Sequence, residues 1–112
     1  MTSRWVTTVG ELATARSGDK GNHANIGVVA RNDAAYEVLV RELTAQRVAD
    51  FFAGLGASRV ERFELPNVQA LNFVLYNALA GGASGSLRID TQGKLLGTAI
   101  LEMELPQDER TA

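Results

Sequence analysis

The apolar period of this chain changes near residue 32, and that change limits what it can build. Before it, "ANIGVVAR" (Ala24 to Arg31) is apolar on both parities, with Ile26, Val28 and Ala30 on one and Val29 on the other. Such a run reads as a central strand covered, at least in part, on both faces. After it, Tyr36, Leu39, Val40 and Leu43 fall at i, i+3, i+4, i+7, one stripe of a helix. Val48, Phe51, Phe52 and Leu55 repeat the spacing, twelve residues on. At about 100° per residue, that displacement turns the second stripe by about a third of a turn. One straight helix cannot aim both stripes at one sheet. The pattern predicts a helix capped by Asn32 or Asp33, a break near Thr44, and a stop at Gly54 or Gly56.

The flanking segments complete a layered domain. Arg4 to Ala15, with Val6, Thr7, Thr8 and Val9, reads as one strand or two short ones. Arg59 to Leu65 reads as a strand with Phe63 and Leu65 inward and Arg62 and Glu64 outward, ended by Pro66. Asn67 then offers a cap for a helix over 68–79, apolar around most of its circumference and wanting burial on two sides. "SLRIDTQGKLLGTAILEMELP" reads as a closing hairpin. Its Leu87 and Ile89 face in, Thr91-Gln92-Gly93 makes the turn, and Leu101, Met103 and Leu105 alternate with Glu102 and Glu104. The order ββααβαββ predicts one α+β domain over 1–112, a two-layer sandwich with helices on one face of a mainly antiparallel sheet. Residues 107–112 are expected to fray.

Composition removes several functions. Eleven basic residues against thirteen acidic give a net charge of −2, with no basic stripe interleaved with aromatics. Phosphate neutralisation needs a concentrated positive field, so no nucleic-acid partner is expected. The absence of cysteine excludes disulfides and thiolate chemistry, and the single histidine, His23, excludes a multi-histidine metal site within one chain. Neither a metal nor a cofactor is expected. The opening "MTSRWVTTVG" lacks the apolar core of a secretory signal, and no apolar run approaches the ~20 residues of a membrane span. The expected location is cytoplasmic, with no membrane partner.

Unusual chemistry is concentrated in "ARSGDKGNHANIGVVAR". Arg16, Ser17, Gly18, Asp19, Lys20, Gly21, Asn22, His23 and Asn25 read as a polar loop between two strands. The P-loop spacing is absent. Ser17 and Lys20 fit S-x-x-K, but glycines at 18 and 21 argue against the helix that chemistry needs, and its companion elements are missing. Asp19, Asn22 and Asn25 lack the calcium-loop spacing. Capture of a polar or anionic ligand has the most physical support. Glycine-rich turns let amides converge on an anion, Arg16, Lys20 and His23 add positive charge, and Asn22 and Asn25 donate. Asp19 would orient Lys20 or accept a ligand hydroxyl. One alternative is a small enzyme, with Asp19 or His23 as acid or base and Lys20 or Arg16 stabilising an oxyanion. Another is an oligomeric scaffold with the loop in a subunit interface and no ligand. The plainest is a hairpin made only to turn. Asn72 and Asn77 interrupt apolar surface and need partners, while Arg88 and Asp90 read as a solvated charged face. The sequence does not fix whether Asn72 or Arg88 approaches the loop.

Together "ARSGDKGNHANIGVVAR", "ERFELPNVQALNFVL" and "SLRIDTQGKLLGTAILEM" resemble the AtuA-like proteins of the acyclic terpene utilisation family. The resemblance is to their small C-terminal domain and runs from about Glu11 to Met103. It implies a ferredoxin-like fold and a link to bacterial breakdown of citronellol- and geraniol-type compounds through CoA thioesters. Long family members carry a much larger N-terminal domain ahead of this one. A stand-alone small domain is therefore expected to be a non-catalytic small subunit or binding module that self-associates and can reassemble with a larger AtuA-like subunit. Its expected ligand is a CoA thioester or carboxylate, held at Arg16 to Asn25.

Overall fold

The computed structural model describes residues 6–78 and 96–106. Its spine is a hairpin of β2 (Ala13–Lys20) and β3 (His23–Ala30), turned by Gly21 and Asn22 alone. Gly21 has φ 62°, which fits the glycine position of a type II′ hairpin turn. The polar segment is thus mostly strand rather than loop. Arg16 to Lys20 lie in full register against His23 to Gly27. A strand tolerates so polar a sequence here because β2 is a sheet edge and half its side chains face away from the core.

The two helices form where the stripes place them, with Val48 and Phe52 of the second stripe buried and Phe51 43% exposed. In α2 (Asp33–Glu42), Asn32 caps the start by accepting from the Ala35 amide. In α3 (Ala45–Phe51), Thr44 accepts from the Arg47 amide, so the break falls at the expected residue. A short 3-10 turn follows, and Gly56 ends it at φ 73°. β4 (Arg59–Leu65) and β5 (Ala70–Tyr76) complete an antiparallel sheet of order β2-β3-β5-β4. Both β3 and β4 run antiparallel to β5, so they are parallel to one another and flank it. With α2 and α3 as the crossover, this is a split β-α-β unit. Ala24, Ile26, Val28, Leu71, Phe73 and Leu75 line one sheet face and are buried in one cluster with Leu39, Leu43 and Val48.

Two further sequence expectations are corrected. The helix expected over 68–79 is a single 3-10 turn at Pro66–Val68 followed by β5, whose burial alternates. A strand at the centre of a sheet reads as apolar all round, which periodicity alone cannot separate from a buried helix. The closing segment is helical over 96–100 (α4), then turns at Leu101 and Glu102. Its end forms β6 (Glu104–Pro106), which pairs antiparallel with β1 (Val6–Thr8). A single helical turn, α1 (Val9–Leu12), joins β1 to β2. The expected hairpin residues 87–93 and the fraying expected over 107–112 both lie outside the described residues.

The faces of β4 are also inverted. Phe63 and Leu65 point away from the helices and are 43% and 46% exposed. Arg62 faces inward, and its Nη1 donates to the carbonyls of Val40 (2.9 Å) and Leu43 (3.1 Å) at the end of α2. Nη2 donates to Glu64 at 2.7 Å. A broken helix leaves carbonyls without amide partners, and a guanidinium there satisfies them and suits the negative end of the helix dipole. Arg62→Ala should therefore cost about 2 kcal/mol by urea titration, from carbonyls left unpaired. A loss under about 0.5 kcal/mol would show that water replaces the guanidinium freely.

Candidate functional site

The hairpin sorts the polar residues onto two faces. Cross-strand partners share a face, so register assigns them. Asp19 opposes Ala24 and Ser17 opposes Ile26, which places both on the helix side. There Ser17 Oγ accepts from the Gly97 amide of α4 at 2.7 Å. Arg16 opposes Gly27, Gly18 opposes Asn25, and these lie on the open face with His23. Lys20 closes the ladder opposite His23, and Gly21 and Asn22 form the exposed turn. The two proposed acid–base residues, Asp19 and His23, are thus on opposite sides of the sheet. Asn72 does reach the hairpin: its Oδ1 accepts from Asn25 Nδ2 at 3.0 Å. Arg88 lies outside the described residues.

The rows of the open face change character along the strands. At one end the imidazole of His23 packs edge-on to Tyr76, with ring centres 5.1 Å apart. Arg59 stacks over the same Tyr76 ring at 4.2 Å, and the Tyr76 hydroxyl donates to Glu61 Oε1 at 2.6 Å. His23 Nδ1 accepts from the Asn77 amide at 2.9 Å, which fixes the ring nitrogen as an acceptor. His23 Nδ1, the Tyr76 hydroxyl and Arg59 are therefore each engaged with a neighbour. At the opposite end, Val29 opposes Ala70, and Ala70 opposes Leu65. Val29 and Leu65 are each 46% exposed.

Between these ends lies the row Arg16, Gly27, Asn72, Phe63. Gly27 leaves its middle without a side chain, and an added Cβ there would meet only Asn72 Oδ1, at 3.8 Å. In the next row Gly18 would meet nothing within 4 Å. Among the described arginines, Arg16 is the one whose side chain makes no hydrogen bond, ion pair or ring contact. The arrangement is a floor of bare backbone with a free guanidinium on one side and the Asn72 amide on the other. Glu61, Tyr76, Arg59, Phe63 and Leu65 belong to this face although the sequence reading did not include them. The alternation of Phe63 and Leu65 was visible, but its direction depended on Arg62 turning inward.

Elsewhere, a cleft of about 210 Å³ between α1 and α2 is lined by Arg31 and Arg41 among others. Arg31 is already bonded to the Gly10 and Glu11 carbonyls and Arg41 to Glu42. No group of three or more metal-ligating side chains occurs among the described residues. No described helix is long and apolar enough to cross a membrane.

A two-layer sandwich with a split β-α-β unit and a bare, mixed-polarity sheet face defines a protein of the ferredoxin-like α+β class. The chain belongs to the AtuA ferredoxin-like domain family, whose model matches residues 7–106. No curated protein and no solved structure matches it.

Proposed function

We propose that this chain is a non-catalytic binding module, serving acyl-CoA and acyclic terpenoid breakdown beside a larger AtuA-like subunit, and that its open sheet face holds an anionic head group. A carboxylate or a CoA phosphate meets the same chemistry there. The observation that carries this is the unpartnered Arg16 guanidinium across a bare Gly27 from the Asn72 amide. Charge-assisted bonds from a guanidinium are the strong kind, and Arg16 carries the site here, because the Asn72 atom nearest Gly27 is Oδ1, which accepts from Asn25. The family link agrees with a metabolic role, while Asp19 on the opposite sheet face supports binding over acid–base turnover.

Thermal unfolding against CoA, acyl-CoA esters and short branched carboxylates tests this. A ligand at a hundred times its dissociation constant stabilises the native state by about 2.7 kcal/mol. For a domain of this size, Tm should rise by about 10 °C. Arg16→Ala should weaken binding at least about tenfold, the low end for a charged hydrogen bond, because the site is open to water. Gly27→Ala adds a methyl to the floor without a steric clash, so it should keep the fold and block the head group. No rise with any compound, or an equal rise in both variants, would remove the site from this face.

A further inference from the structure

The open face is amphipathic in one direction, and that direction specifies the ligand beyond its head group. Resting on the anion site at Arg16, we propose that the ligand is an aliphatic monocarboxylate whose tail runs from Gly27 across Val29 and Phe63 to Leu65. In the other direction the next row holds Asn25, Val74 and Glu61, so a tail laid that way meets one aliphatic side chain, Val74, and then the Glu61 carboxylate and the Tyr76 phenol bonded to it. The direction towards Val29, Phe63 and Leu65 therefore offers the larger exposed apolar surface.

Dimensions support a small molecule over a second copy of the chain. Strands lie about 4.8 Å apart and alternate residues about 6.8 Å apart along a strand. The apolar half of this face, two rows across four strands, then covers about 250 Å². Two copies meeting there would bury about 500 Å² in total, well short of the roughly 1,200 Å² of a stable interface. From Gly27 to Leu65 is one row and two strands, a diagonal of about 12 Å. An extended alkyl chain advancing about 1.25 Å per carbon fills it with roughly eight to ten carbons. Val29, Phe63 and Leu65, all more than two-fifths exposed, supply the surface such a chain would cover.

Titration of straight-chain carboxylates from acetate to dodecanoate, followed by amide shifts at Gly27 and Asn72, tests the tail. Affinity should rise about two-fold per methylene, half the full-burial effect because one side of the chain stays wet, and level off near ten carbons. Leu65→Ser, a neutral change at an exposed position, should flatten the rise beyond about six carbons and leave acetate binding unchanged. Arg16→Ala should weaken the whole series alike. Acetate binding as tightly as decanoate in the wild type would overturn the tail and leave the anion site standing. A rise that Leu65→Ser does not flatten would also overturn it, since the chain would lie elsewhere. Failure of every acid to bind would remove the anion site itself. Sedimentation of the wild type as a dimer that Leu65→Ser dissociates would assign the strip to a second copy and overturn the ligand.

Discussion

Phe73→Ala should lower the unfolding free energy by about 3–5 kcal/mol, the range for deleting a buried aromatic from a core. Phe73 is fully buried in β5, opposed by Ile26 on one side and Arg62 on the other. A domain of this size has about 5–15 kcal/mol in all, so the variant loses a large share of it. At roughly 4 °C per kcal/mol, Tm should fall by about 12–20 °C. The same strand provides its own control. Leu71 and Leu75 share the buried face, whereas Val74 and Tyr76 are only half-buried on the other. Alanine scanning should therefore show period two, large at 71, 73 and 75 and about 1 kcal/mol or less at 74. Had this segment been the all-round apolar helix its spacing suggests, large losses would fall on the consecutive residues 73, 74 and 75 without alternation. Chemical denaturation of the set decides between them. A loss at Phe73 below about 1.5 kcal/mol would contradict its place in the core.

That contrast shows why part of this fold was legible and part was not. The two helices announced themselves through local signals, caps at Asn32 and Thr44 and stripes on one side. Such signals are written in neighbouring residues. β5 was not legible because its character depends on partners far away in sequence, β3 on one edge and β4 on the other. A strand with helices over one face and Ala70, Asn72, Val74 and Tyr76 on the other shows too little polar alternation to betray it. Arg62 misled in a related way: its charge suggested solvent, but the broken end of α2 supplied two carbonyls that hold it inward. Once β4 turned over, Phe63 and Leu65 had to face the open side, which gives the candidate site its apolar half. Within the site itself, Arg16 and Asn25 were legible by composition, and Asn72 as an amide needing a partner. Their assembly was not, because a loop and a helix would never have placed them in adjoining rows.

Gly97→Val should cost about 2–4 kcal/mol and should also weaken anion binding, two effects with one cause. Gly97 begins the contact between α4 and β2, and an added Cβ would sit 3.0 Å from both the Arg16 carbonyl carbon and the Ser17 nitrogen. These are backbone atoms, so no side-chain rotation relieves the clash. Valine must push α4 away, which strains packing and breaks the bond from the Gly97 amide to Ser17 Oγ. The strand it pushes carries Arg16 on its opposite face, so the guanidinium shifts relative to Gly27 and Asn72. Gly10→Ala makes the matching comparison. Its Cβ would sit 3.0 Å from the Leu101 carbonyl oxygen, on the segment that packs β1 and α1 against the chain's end. That variant should lose stability with acetate and butyrate affinity unchanged. If Gly97→Val is destabilised yet binds these acids like the wild type, β2 holds Arg16 in place without help from α4. If affinity falls several-fold in Gly97→Val alone, the packing of α4 beneath β2 sets the geometry of the site above it.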